Sequence, residues 1–272
     1  MFRRLLVFWA IWLAAISAAA AEYSFGVTPQ FERRQLFTVW TPILAELERR
    51  TGHKFRLALT RDIPEFERHY NAGGFDFSYM NPYLVVENPQ GYLPLVRDVA
   101  PLRGILVVRK DDPIQSPAEL DGAVIAFPTP NAIGASLLIR AELARKFKVR
   151  FEPKYVKSHT ATYLSVTQGL TVAGGGVQRT LDEQKDSVRD QLRVIHTTRA
   201  SPSLPVAAHP RVPAEVREAV REAFLAMAAN PDAAALLKEV PMGQLTATSA
   251  RDYEPLRELR LREFFVPEPS SP

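Results

Sequence analysis

Residues 23–59 constrain the fold more tightly than any other stretch, because the apolar period changes twice within them. Residues 23–27 alternate and stop at Thr28-Pro29, which reads as a strand running into a loop. From Phe31 to Arg50, Leu36, Val39, Trp40, Ile43, Leu44 and Leu47 recur at helical spacing, and Gly52 is placed to end the helix. Residues 55–59 form a second apolar strand. Strand, helix and strand in so short a span make the unit whose two strands lie parallel with a right-handed crossover. The fold class is therefore α/β. A short helix over 64–72 and a buried strand over 75–79 follow, with Asn81-Pro82-Tyr83 as the loop at that strand's C-terminal end, where open parallel sheets bind ligands.

A second α/β unit opens with the continuous apolar strand 104–108. Ser116-Pro117-Ala118-Glu119 carries an N-cap, a proline at the first helical position and a capping-box glutamate. Strand 123–127, helices 131–146 and 158–168, and a short strand 171–173 running into Gly174-Gly175-Gly176 complete the unit, with a further capping box at Thr180 to Glu183. Residues 205–208 are a short apolar run. The remainder reads as helices, including 214–227 and 252–265, with no strand. Helices without a sheet of their own are expected to pack back on the first lobe. Lobe 1 is then discontinuous, residues 22–103 plus 209–265, and lobe 2 is 104–208, each a mainly parallel sheet flanked by helices. The Pro- and Ser-rich tail 266–272 is expected to be disordered.

The first 21 residues read differently. Arg3 and Arg4 precede about eleven mostly apolar residues, too few to span a membrane, and Ala18 to Ala21 supply small residues for cleavage. This is a secretory signal peptide cut near Ala21, which places the mature chain in the periplasm. The chain has no cysteine, which excludes disulfides, thiol chemistry and a lipid-carrying N-terminal cysteine. A net charge of +4, two units of which leave with Arg3 and Arg4, is too small and too evenly spread for a nucleic-acid partner.

Three expected helix N-termini in lobe 2 follow strand ends: Asn131 and Ala132, Ser158-His159, and Gln178-Arg179-Thr180. Free N–H groups and a partial positive charge at such ends, converging on one point, would hold an anion. His159 could donate to an oxyanion, and Arg179 could form a bidentate pair with it or be solvated. Asn131 caps its own helix, touches the ligand, or does both. The glycine run allows a close backbone approach or simply makes a tight turn. Gln30, Phe31, Tyr79, Asn81 and Tyr83, at strand ends of lobe 1, would form the opposing wall. The acidic pairs sit in a loop or a first helical turn, and the five histidines lack metal spacing. No GxSxG or Walker motif occurs. No catalytic residue, metal or cofactor is expected, and the chain reads as a binding protein rather than an enzyme.

Gly26-Val27-Thr28-Pro29, the helix end Glu48-Arg49-Arg50-Thr51-Gly52, Asp76 with Asn81-Pro82-Tyr83, Leu120-Asp121-Gly122, Pro130-Asn131 and Lys157-Ser158-His159 together resemble the PhnD-like periplasmic substrate-binding proteins of phosphate, phosphite and phosphonate ABC importers. The resemblance implies a type II periplasmic-binding fold, two lobes on a two-strand hinge, a small oxyanion closed between them, and an importer permease as partner of a monomeric receptor. A sensory subunit for a membrane histidine kinase or chemoreceptor, and a periplasmic enzyme on the same scaffold, are the alternatives. Ala132 and Ile133 stand where the family places serine and threonine. Gly174 to Arg179 replaces an alanine-aspartate-glycine strand end, so a more positive pocket is expected. Phosphonate, phosphite, phosphate, sulfonate and carboxylate all stay open as ligands.

Overall fold

The change of period over residues 23–59 produces the expected unit. In the computed structural model, which describes residues 21–87 and 90–266, β1 (Glu22–Val27) pairs parallel with β2 (Lys54–Ala58) across helix α1 (Arg33–Thr51). Leu36, Trp40, Ile43, Leu44 and Leu47 form the buried face of α1, and Gly52 ends it in the left-handed region (φ 73°), returning its N–H to Glu48 O. After α2 (Ile63–Asn71), β3 (Phe77–Tyr79) pairs parallel on the other side of β1. Helix α3 (Tyr83–Val86) and strand β4 (Leu93–Asp98) close this run.

The second unit is β5 (Gly104–Arg109), β6 (Val124–Phe127), a π-helical turn Ile133–Leu138 continued by α4 (Ile139–Arg145), β7 (Glu152–Tyr155), α5 (His159–Thr167), β8 (Ala173–Val177), α6 (Gln178–Asp182), α7 (Asp186–Arg189) and β9 (Leu192–Thr197). Ser116 forms its capping box with Glu119, on a single 3-10 turn. Strand β5 is apolar throughout because both faces are covered: Ile105 and Val107 pack with Tyr163 and Val166, while Leu106 and Val108 pack with Phe127 and Ile139.

The chain then returns through β10 (Pro205–Ala208), α8 (Ala214–Ala229), α9 (Pro231–Lys238), β11 (Leu245–Ala247) and α10 (Glu254–Glu258), the last flanked by 3-10 turns Ala250–Tyr253 and Leu261–Phe264. Two sheets result, ordered β11-β4-β10-β3-β1-β2 and β7-β6-β8-β5-β9. The outward crossing lies between β4 and β5 and the return between β9 and β10. The two crossings meet in an antiparallel bridge, Leu102 N to Ser201 O and Ser201 N to Leu102 O, each 2.9 Å.

Four expectations change. The sheets are mixed rather than mainly parallel: β10 runs antiparallel to β3 and β4, β11 to β4, and β5 to β8 and β9, because these strands arrive by return crossings or long loops. Strand β10 belongs to the first sheet, so residues 205–208 fall on the other side of the boundary expected at 208. The C-terminal part contributes strand β11 to that sheet. The expected helix 252–265 is broken at Arg260, whose φ is 48°. The leader expected over 1–21 lies, apart from Ala21, outside the described residues, as does the expected tail beyond Val266. No helix among the described residues is long and apolar enough to cross a membrane.

Candidate functional site

The π-helical turn opens the second sheet's side of an interlobe cavity. Its first bonds run from Ser136 N and Leu137 N back to Ala132 O (2.8 and 3.0 Å), so the N–H groups of Ile133, Gly134 and Ala135 precede the hydrogen-bonded ladder. Ala132 and these three residues line the cavity together with His159 and Val177. Thr28 and Gln30 after β1, Glu67 on α2 and Asn81 after β3 face them from the first lobe. The cavity is small, about 40 Å3, which restricts an occupant of this closed arrangement to a compact head group.

His159 is the first residue of α5, set there by the N-cap Ser158, whose hydroxyl accepts from Ala161 N at 3.1 Å. The ring is 3 % exposed. Burial holds its pKa down to about 4, so it is neutral at physiological pH. Nδ1 lies 3.2 Å from Thr180 Oγ1, which also approaches Val177 O at 2.8 Å. The shorter contact takes the single hydroxyl proton, so Nδ1 carries the imidazole proton and Nε2 remains an acceptor. Thr180 is thus an interior anchor of α6, shared with the Tyr163 hydroxyl at 2.8 Å, rather than the capping residue its spacing suggested.

A second, wider pocket of about 360 Å3 lies beside the hinge, lined by Phe31, Tyr79, Gln178, Arg179 and Thr180, with Gln30 shared between the two. The expected site residues therefore divide. Gln30, Asn81, Ala132 and His159 meet in the inner cavity, and the hinge pocket gathers the five just named. Ser158, Tyr83 and Asn131 lie behind the walls.

Their side chains are committed elsewhere. Asn81 bridges the lobes, donating from Nδ2 to Asn131 O at 2.6 Å while its Oδ1 caps Tyr83 N. The Asn131 amide pairs with the backbone of Val266 through both its atoms, at 2.8 and 2.9 Å. This residue, expected to begin a disordered tail, is held in place. The Tyr83 ring packs on Phe265, and its hydroxyl donates to Glu87. Arg179 reaches across the cleft: its Nη2 donates to Glu239 O at 2.7 Å at the C-terminal end of α9, and Glu183 pairs with it at 3.3 Å.

The expected gain of positive charge is not found at the inner cavity. Neither an arginine nor a lysine lines it, whereas Glu67 does. Sequence reasoning passed over Glu67, although it shares the buried face of α2 with Ile63, Phe66 and Tyr70, a spacing visible in the sequence. The glycine run, read as a loop feature, is the buried strand β8. A Cβ on Gly175 would lie 2.2 Å from Ala135 O, and one on Gly176 2.0 Å from the Tyr163 hydroxyl, so the strand lets the π turn and Tyr163 approach. Among the described residues no cluster of three or more His, Asp or Glu could hold a metal ion.

Residues 25–253 match the family described as ABC transporter, phosphonate, periplasmic substrate-binding protein. Among curated proteins none matches the sequence significantly. Solved structures share the fold. The binding protein component of an ABC phosphonate transporter from Pseudomonas aeruginosa superposes with a TM-score of 0.77 at 17% identity, over 89% of this chain and 87% of that one. PhnD1 from Prochlorococcus marinus, solved with methylphosphonate, gives 0.80 at 12% identity over 90% and 99%. A Xanthomonas citri protein solved with ATP gives 0.69 at 18% over 89% and 98%.

Proposed function

The chain belongs to the phosphonate-type periplasmic substrate-binding proteins of ABC transporters, and from that premise we propose that its inner interlobe cavity captures a small oxyanion for delivery to an importer permease. The receptor works as a monomer in the periplasm after its leader is cut near Ala21. Its first lobe is residues 22–103 with 205–265, and its second lobe lies between the two crossings. It binds and releases its ligand without turning it over.

One observation carries the reading: the first residues of the π-helical turn, Ile133 to Ala135, and His159, the first residue of α5, line the same cavity, opposite Thr28, Gln30 and Asn81 of the other lobe. N-terminal N–H groups and the positive end of the helix dipole favour an anion there without any cationic side chain. Contacts from both walls favour the closed state over the open one, which is how a bound ligand is reported to a permease.

The test is a thermal-shift screen of the mature chain against phosphate, phosphite, methylphosphonate, methanesulfonate and acetate. A ligand at 100 times its Kd adds about 2.7 kcal/mol to the folded state, a shift of several degrees. His159→Ala should weaken the hit without unfolding the protein. No shift with any member of the panel overturns the reading.

A further inference from the structure

The wider pocket beside the hinge is lined quite differently from the inner cavity. Phe31, Pro101, Leu102, Leu204 and Pro241 give it apolar walls around about 360 Å3, within the size range of small-molecule sites. Tyr79, at the end of β3, lines it while only 2 % exposed. Its main-chain carbonyl accepts from Thr28, but its hydroxyl meets no hydrogen-bond partner among the described residues. Burial raises the pKa of this phenol, so it keeps a proton to donate. An unpaired buried donor is costly, and a ligand that accepts from it removes the cost.

The charges around the hydroxyl favour a negative group. The Arg179 guanidinium lies close enough to act on it, and Arg179 Nε is itself buried without a partner. Arg103 adds a second guanidinium, which donates from Nη1 to Thr198 O at 3.1 Å and pairs with no carboxylate among the described residues. The one acid in the lining, Asp98, is already engaged at both oxygens, Oδ1 by Ala100 N at 2.7 Å and Oδ2 by Gln244 N at 3.0 Å. Two guanidinium groups against one satisfied carboxylate leave a place for one more negative charge, and the apolar walls leave a surface for a hydrophobic body to cover. The two pockets share Gln30, Leu102, Val177 and Leu204 as a common wall.

We propose that the hinge pocket is a second ligand site, separate from the inner cavity, for a small carboxylate with an apolar body. The carboxylate accepts from the Tyr79 hydroxyl beside Arg179, and the body lies against Phe31, Leu204 and Pro241. The proposal does not depend on the oxyanion reading of the inner cavity.

Calorimetry of the mature chain with phenylacetate tests this. Phenylacetamide keeps the body and loses the charge, and acetate keeps the charge and loses the body. Phenylacetate is expected to bind more tightly than either by about 10-fold or more. Tyr79→Phe deletes the hydroxyl alone and keeps the ring that packs on Trp40, so the fold is retained while phenylacetate affinity falls by about 10-fold or more. Saturating methylphosphonate should leave phenylacetate binding unchanged or strengthen it. No binding of phenylacetate, equal affinity for phenylacetamide or acetate, or an affinity unchanged in Tyr79→Phe overturns the proposal. A loss of phenylacetate affinity that grows with methylphosphonate concentration would make the two pockets one site, and overturns it too. The oxyanion reading is tested separately by the thermal-shift panel.

Discussion

His159 is the side chain whose chemistry the fold changes most. Its folded pKa, held at about 4 by burial, lies below the ordinary value of 6.5, so the unfolded chain takes up the proton first as the pH falls. The stability owed to the neutral ring is complete above about pH 6.5 and is lost progressively down to about pH 4, because the unfolded state binds more protons in that window. The gap between the two values corresponds to about 3 kcal/mol. Urea unfolding at pH 7 and pH 4.5 should therefore show a smaller loss for His159→Gln than for wild type, by about 2 kcal/mol. Equal losses would mean that the ring is not buried neutral. That His159, Ala132, Gln30 and Asn81 face one cavity was legible in the sequence, since each follows a strand end or begins a helix. Glu67 was legible only through its spacing from Ile63, Phe66 and Tyr70, because a glutamate on an amphipathic helix ordinarily reads as solvent-facing. The partners of Asn131 and Tyr83 were not legible: Asn131 pairs with a residue 135 positions away, beyond any local pattern.

Among the elements, those buried on a continuous face announced themselves. Helix α1, strand β5 and helix α8 follow from periodicity alone. The strands that periodicity missed are those with weak demands on their side chains. Strand β7 is an edge strand exposed along its whole length, and β11 is a three-residue edge. Strand β4 carries Pro94, which reads as an interruption. Strand β8 was hidden for the opposite reason, since its glycines look like a turn until Tyr163 and the π turn are seen lying against them. Helix α6 follows at once from β8, and its Arg179 spans the cleft to the carbonyl end of α9. This contact ties the two lobes together beside the hinge pocket. Its loss in Arg179→Ala should cost about 1–2 kcal/mol of closure, and so weaken every ligand by the same factor of about 5–30. Calorimetry with two ligands of different head group checks this. Losses that differ between the ligands would place the guanidinium on the ligand instead.

At the scale of the whole molecule, the two lobes and their crossings were legible as two α/β units separated by a return. What holds them together was not. A single hydrophobic cluster joins Phe66, Met80, Tyr83 and Leu84 of the first lobe to Ile133, Leu137 and Leu138 of the second, with Leu256 and Leu261 from the C-terminal segment. The same segment clasps the second lobe by polar bonds. Arg140, itself buried, donates to Phe264 O at 2.8 Å, Arg145 reaches Leu259 O and Glu263, and Asn131 pairs with Val266. The segment begins on the first lobe, where the Tyr253 hydroxyl donates to Ser203 O at 3.2 Å, so it links the two lobes by contacts separate from that of Arg179. Ending the chain at Arg260 removes Leu261, the Arg140 partner and the Val266 pair while leaving Tyr253 and both sheets intact. The truncated receptor is expected to populate the open state more, with a larger radius of gyration by small-angle scattering and a ligand affinity lower by about 10-fold or more, because the hydrogen bonds to Glu263, Phe264 and Val266 are lost together. Saturating ligand should restore the compact radius, because binding and closure draw on one equilibrium. A truncated chain as compact and as tight-binding as the full one would show that the segment merely rests on the second lobe, and that the interlobe apolar contacts and Arg179 suffice to close it.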